Sequence, residues 1–289
     1  MKNIKKNKVV AALIFLTVFS LAVCLSVFFI IFNRTPKPSE YDPSDYRYGV
    51  FLSYEGKLDE LKEYETIVID AQYYSAKEIK DFTADNHYVL SYINVGALED
   101  FRDYYDEYKN LELGEYEHWD EEIWIDVSDG RWQEFILDEL APELAEKGIS
   151  GFFVDNCDVY YNYPSAEILD GLSLIMEGLR DTGLKVIING GDTFLDAYTE
   201  SGKDCKNVVT GINQETVLSR IKWETETFGR NSREDREYFE DYIDKYAKEG
   251  IDIYILEYTD GSLDNEIKDF CHKKNYLYYI SDSLELDYP

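Results

Sequence analysis

The chain is predicted to be an α/β protein, a (β/α)8 TIM barrel preceded by one N-terminal transmembrane helix. Three observations carry that expectation. Eight short apolar segments alternate with helical patterns over the C-terminal part of the chain, about 245 residues, the length of one barrel domain. Six of those segments end in acids, amides or aromatics, at Asp70, Asn94, Asp155 with Asn156, Asn189, Glu215 and Glu257. Polar residues recurring at the C-terminal ends of buried parallel strands are how such barrels build an active site. Third, residues 9–32 form an apolar run of 24 residues.

At 1.5 Å per residue that run can cross a hydrocarbon core of roughly 30 Å. The segment before it, residues 1–8, carries Lys2, Lys5, Lys6 and Lys8, which keeps that end in the cytoplasm and puts the C-terminal body outside the cell. The localisation expected is therefore the cell membrane, single-pass, with an extracellular domain. A cleaved signal peptide is the rival, but no small-x-small site follows the run. A lipoprotein would use Cys24, where the preceding Val23 is larger than processing prefers. Residues 33–46, with Pro36, Pro38 and Pro43, read as an extended linker to the domain over 47–289.

The expected strands lie at 48–54, 66–71, 88–95, 151–156, 185–191, 208–214, 251–258 and 276–281. They are apolar along their whole length, which fits a sheet covered on both faces. Helical patterns between them run over 58–64, 75–85, 131–147, 166–182, 193–201, 232–248 and 262–274. Gly148, Gly183 and Gly250 each follow such a pattern as C-cap signals. Two connections are long, 97–130 and 215–231, and both fall on the side where extended loops shape a cleft. The segment WIDVS (124–128) would make a ninth barrel strand; a short strand inside the third loop is preferred, because nine parallel strands do not close the usual barrel.

The strongest chemical signal is GISGFFVDNCDVYYNYP, from Gly148 to Pro164. A buried strand delivers Asp155, Asn156 and Asp158 to its end, and Tyr160, Tyr161 and Tyr163 follow. Rings beside carboxylates suit sugars, whose C–H faces stack on aromatics while hydroxyls bond to acids and amides. Asp158 has a purely structural alternative as a turn cap. Two strands later Glu215 follows Asn213 and Gln214; the helix dipole alone could explain a Glu there. Acids at the ends of strands four and six can face each other across the barrel mouth. Carboxylates about 5–5.5 Å apart make a retaining glycosidase and about 6.5–9.5 Å an inverting one, a distance that sequence leaves open.

These segments, together with IVIDAQYY, LSYINVGALEDFRDYY, WIDVSDGRWQEFILDEL, GLKVIINGG and GINQE, resemble the endo-α-1,4-polygalactosaminidase family, glycoside hydrolase family 114. The resemblance spans roughly residues 48–258; its most specific pieces are Tyr92 to Gly96 with Glu99, Trp124 to Val127, and Gly151 to Asp158. It implies a (β/α)8 barrel cleaving α-1,4-linked galactosamine-containing polymers, with Asp155 and Glu215 as catalytic acids. It also implies that Asp70, Asn94, Asn189 and Tyr258 line the site. Tyr92, Glu99, Asn156, Asp158, Tyr160, Asn213 and Glu257 complete the expected substrate-binding set. The stretch from Lys222 to Arg230 departs from the family pattern, which bears on substrate identity more than on chemistry.

Charge agrees with a cationic amino-sugar polymer as partner. The chain has 29 basic and 59 acidic residues, a net of -30. Six of the basic residues and none of the acidic ones lie in the first 39 positions, so the body beyond them carries 23 against 59, a net of -36. Such a surface repels nucleic acid and attracts cations, although solubility alone could account for it. His87, His118 and His272 are the only histidines and have no metal-ligand spacing, and a G-x-S-x-G elbow and phosphate-binding glycine signatures are absent. No cofactor and no metal are implied, although an acid cluster of Asp70, Asp155 and Glu257 stays open as a metal alternative. A non-catalytic polysaccharide-binding protein on the same barrel is the rival of another class. Beyond Cys24, Cys157, Cys205 and Cys271 permit at most one disulfide.

Overall fold

The computed structural model describes residues 47–288. The expected cytoplasmic segment, membrane span and linker lie outside the described residues, among which no helix is long and apolar enough to cross a membrane.

All eight expected barrel strands form. They are β1 (Tyr48–Phe51), β2 (Thr66–Ile69), β3 (Tyr88–Asn94), β7 (Gly151–Asp155), β8 (Lys185–Asn189), β9 (Gly211–Glu215), β12 (Asp252–Tyr258) and β13 (Leu277–Ser281). They pair in that order in one sheet, every ladder parallel. The ends of the sheet come together, with the Phe51 ring of β1 lying 5.2 Å from that of Tyr279 on β13. Ile67, Ile93, Phe152, Ile187, Ile212 and Ile255 are fully or almost fully buried, as strands wedged between a filled barrel and a helical ring require. Each such side chain contributes about 1.5–3 kcal/mol by leaving water.

The helical ring follows the predicted pattern closely. Helices occupy Ala76–Thr83, Ala166–Asp181, Asp192–Glu200, Arg233–Lys248 and Asp264–Lys274, and residues 130–146 form one continuous helical stretch whose middle, Phe135–Leu140, is π-wound. Ser75, Ser165 and Ser232 cap N-termini with their hydroxyls, Ser75 in a full capping box with Glu78. Gly148, Gly183 and Gly250 take positive φ at the helix ends, as their C-cap role requires.

The two long connections build a second storey over the C-terminal mouth. The first contains β4 (Ala97–Glu99), β5 (Glu112–Glu115) and β6 (Glu122–Ile125), an antiparallel sheet with β6 in the centre. WIDVS is therefore not a ninth barrel strand; its start belongs to β6, which begins two residues earlier. The second forms an unforeseen hairpin of β10 (Ser219–Lys222) and β11 (Thr227–Arg230). The first sheet docks because residue 96 is glycine: a Cβ there would lie 1.8 Å from the carbonyl oxygen of Asn156.

Candidate active site

Two carboxylates meet at the centre of the mouth. Asp155 ends β7 and Glu215 ends β9, and between them β8 ends in Asn189. The Asn189 side-chain nitrogen donates to Asp155 Oδ1 at 3.0 Å and to Glu215 Oε1 at 2.8 Å. Those two oxygens are therefore no farther apart than the sum of the two bonds, 5.8 Å. The amide cannot turn round without loss, because its Oδ1 accepts from Asn213 Nδ2 at 2.7 Å. Asn213 in turn accepts from the Tyr48 hydroxyl at 3.1 Å, deep in the barrel. This chain of five residues, satisfied at every joint, fixes the spacing of the acids.

The acids differ in their remaining partners. Asp155 Oδ1 also accepts the backbone N–H of Asn156 at 3.0 Å, and among the described residues nothing donates to Oδ2. Glu215 Oε2 accepts from the Tyr258 hydroxyl at 2.9 Å. Burial, then the charge of Glu215, pushes the Asp155 pKa up to about 6, against the Asn189 and Asn156 hydrogen bonds that lower it. Burial likewise raises Glu215, opposed by Asn189 and Tyr258. Asp158 reaches about 7 through burial and the charges of Asp192 and Asp155.

Two polar groups form one wall. Arg102 donates to Asp70 Oδ2 at 2.6 Å and to Glu99 Oε1 at 3.0 Å, and the Tyr92 hydroxyl donates to the same Glu99 oxygen at 3.2 Å. Alongside, Glu122 Oε2 accepts the amides of Asn94 and Asn156, each at 3.3 Å. Asn156 sits in the left-handed region with φ 64° and accepts from the Tyr116 hydroxyl at 2.8 Å, while the Tyr116 ring stacks on Trp124 at 4.3 Å. Burial and the charges of Glu99 and Asp155 lift Glu122 to about 8.

These groups open onto a cleft of about 880 Å³. Of the expected residues, Asp70, Tyr92, Glu99, Asp155, Asn156, Asp158, Asn189, Glu215 and Tyr258 line it. Four do not. Asn94 is buried beneath the cleft wall, where it accepts the N–H of Ala97. Asn213 is fully buried and reaches the cleft through Asn189 alone. Tyr160 packs against the core; its neighbour Tyr161 faces the cleft instead. Glu257 is fully buried under the loop after β9, where it accepts the backbone N–H groups of Leu218 at 2.7 Å and Ser219 at 2.8 Å.

That placement of Glu257, and the pairing of Asp70 with Arg102, dissolves the acid cluster considered as a metal site; no group of three or more metal-binding side chains occurs among the described residues. Cys157, Cys205 and Cys271 are free and buried. Sequence reasoning found Tyr161 but missed Glu122, Arg102, Tyr116 and the rest of the rim. Among the described residues seven large apolar side chains are exposed, and five of them, Tyr73, Phe101, Tyr161, Trp223 and Tyr238, stand on the cleft. An apolar rim above paired acids is the surface a sugar chain needs.

Barrel, carboxylate pair and aromatic cleft define a glycosidase. The family model of glycoside-hydrolase family GH114 matches residues 33–288, and the chain belongs to that family. Among solved structures, the glycoside hydrolase domain of PelA from Pseudomonas aeruginosa superposes with TM-score 0.69 at 16% identity, covering 83% of this chain and 96% of that one. Aspergillus fumigatus Ega3 in complex with galactosamine gives 0.64 at 17% identity, covering 88% and 97%. A maltogenic α-amylase, AmyB from Thermotoga neapolitana, gives 0.52 at 13% identity, covering 84% and 71%. At these identities the likeness concerns the fold. No curated protein sequence matches the chain.

Proposed function

We propose that the protein is a cell-surface enzyme, held in the membrane by residues 9–32, that cleaves a galactosamine-containing polysaccharide with retention of configuration. The observation carrying the chemistry is the single Asn189 nitrogen bonded to both acids. With donors about 120° apart on one amide nitrogen, the bonded oxygens stand about 5 Å apart, the retaining rather than the inverting distance. Asp155 is the nucleophile: both its partners are N–H groups, which favour the ionised form, and Oδ2 is free to attack the anomeric carbon. Glu215 is the acid/base: its Tyr258 partner is a hydroxyl, which can donate or accept and so tolerates a proton on the carboxyl. Glu215 gives its proton to the leaving glycosidic oxygen as Asp155 forms the glycosyl ester. It then takes a proton from the water that attacks the anomeric carbon and frees Asp155.

Substrate charge is supported by the lining itself. Eleven acidic side chains and one cation, Arg102, face the cleft, and Arg102 is already paired with Asp70 and Glu99. A chain of free amino sugars would neutralise such a wall. Galactosamine also appears in the Ega3 complex, whose barrel this one resembles. The test is release of new reducing ends from a partly de-N-acetylated galactosamine polymer by the wild type and by Asp155→Asn and Glu215→Gln. Cleavage by the wild type, reduced by about 10²–10⁴-fold in either variant, is expected. Binding of the polymer without any cleavage would assign the barrel to polymer retention instead.

A further inference from the structure

Glu99 on β4 and Glu122 on β6 are direct partners across the antiparallel ladder. Their side chains therefore leave the small sheet on one face, and like charges placed so repel. Both line the cleft. Each uses one oxygen and leaves the other idle. Glu99 Oε1 takes Arg102 and Tyr92, while Oε2, on a residue only 3% exposed, has no hydrogen-bond partner at all. Glu122 Oε2 takes the Asn94 and Asn156 amides, and no donor among the described residues reaches Oε1. A buried carboxyl oxygen left unpaired is costly, and its burial favours the arrival of a donor. The buried, unpaired oxygen of Glu99 and the free oxygen of its cross-strand partner Glu122 offer acceptors to a compact cation with several N–H donors. Arg102 is not that cation, being committed to Asp70 and to the other Glu99 oxygen.

We propose that Glu99 and Glu122 form the specificity-determining clamp for the free ammonium group of the sugar bound beside Asp155, so that an amino sugar is taken there and its N-acetylated form is not. This rests on the proposal that the enzyme cleaves an amino-sugar polymer. The ammonium donates to Glu99 Oε2 and Glu122 Oε1. In the free enzyme Glu122 holds a proton up to a pKa of about 8, raised by burial and by the Glu99 and Asp155 charges. The arriving ammonium replaces that proton: Glu122 ionises, one proton leaves to solvent, and the charge within the clamp is balanced. An acetamido group brings a single N–H and no charge, so it leaves the pair uncompensated.

Two measurements on the full-length protein test this. The first titrates the wild type with galactosamine and with N-acetylgalactosamine near pH 6.5 in buffers of different ionisation enthalpy. Proton release on binding galactosamine, none with N-acetylgalactosamine, is expected; absence of release with galactosamine overturns the clamp, and no variant has to fold for that result. The second compares kcat/KM on de-N-acetylated and N-acetylated galactosamine oligosaccharides for wild type and Glu122→Gln, which keeps an acceptor for Asn94 and Asn156. The variant should lose about 10- to 100-fold on the amino substrate alone, the worth of a charge-assisted bond. An equal loss on both substrates, or an unchanged preference, overturns the proposal. A wild type that cleaves neither refutes the proposed activity, whereas the proton measurement still decides whether the pair binds an ammonium.

Discussion

Asn189 joins the two acids and so determines more of the site than any other uncharged side chain. Its nitrogen lowers both carboxyls against the burial that raises them. Asn189→Ala removes that donor from both at once and should cost about 10²–10³-fold in kcat, the loss seen when one preorganised donor is deleted. The pH profile gives a signature that mere damage would not. Loss of a hydrogen bond to the ionised form raises the Asp155 pKa above its present value of about 6, so the acidic limb of kcat/KM should move to higher pH. An unmoved limb would show that Asn189 does not tune Asp155. Asp155 and Glu215 were legible in the sequence because each ends an apolar strand. The tie through Asn189 and Asn213 was not, since which strand-end amides touch depends on barrel stagger. Glu257 was misread although its neighbour gave a clue. Adjacent residues of a strand face opposite ways, so Tyr258 at the mouth sends Glu257 outward.

Among the elements, the loops over the mouth hold what the barrel lacks. Glu257 ties the β10–β11 hairpin to β12 by accepting two backbone N–H groups and the Ser219 hydroxyl. Glu257→Leu orphans those donors and should destabilise the protein by about 2–5 kcal/mol, read as a lowered midpoint in urea unfolding. A midpoint equal to wild type would mean that the loop carries no folding energy. That hairpin also brings Trp223 against the first loop, where it stacks on His118 at 4.4 Å and meets Trp119 edge-on at 6.4 Å. Strands of the barrel could be read from uniform apolar runs because both faces are buried. The small sheet could not. Glu122 belongs to a run of three acids, 120–122, that looks like solvated surface until β4 lies opposite and turns it toward the cleft. The shift in register between Glu112 and Gly114 further blurs the alternation that would mark β5.

Over the whole molecule the negative charge has two components. One is the exposed acids of the outer helices, some of them neutralised in pairs such as Arg233 with Glu237 and Lys77 with Asp81, which contribute little to stability. The other component is the set of eleven acidic side chains that line the cleft, not all of them ionised at once. Composition revealed the total but not this division, because the division depends on which loops fold back over the mouth. The central claim is that Asp155 and Glu215 work as a retaining pair, and the configuration of the first product tests it most directly. An α-linked galactosamine oligosaccharide is digested in an NMR tube and the anomeric proton followed before mutarotation. The account predicts the α-anomer as the first product, because an Asp155 ester formed with inversion is opened by water with a second inversion. A β-anomer appearing first would contradict it and would mean that water, not Asp155, attacks the sugar.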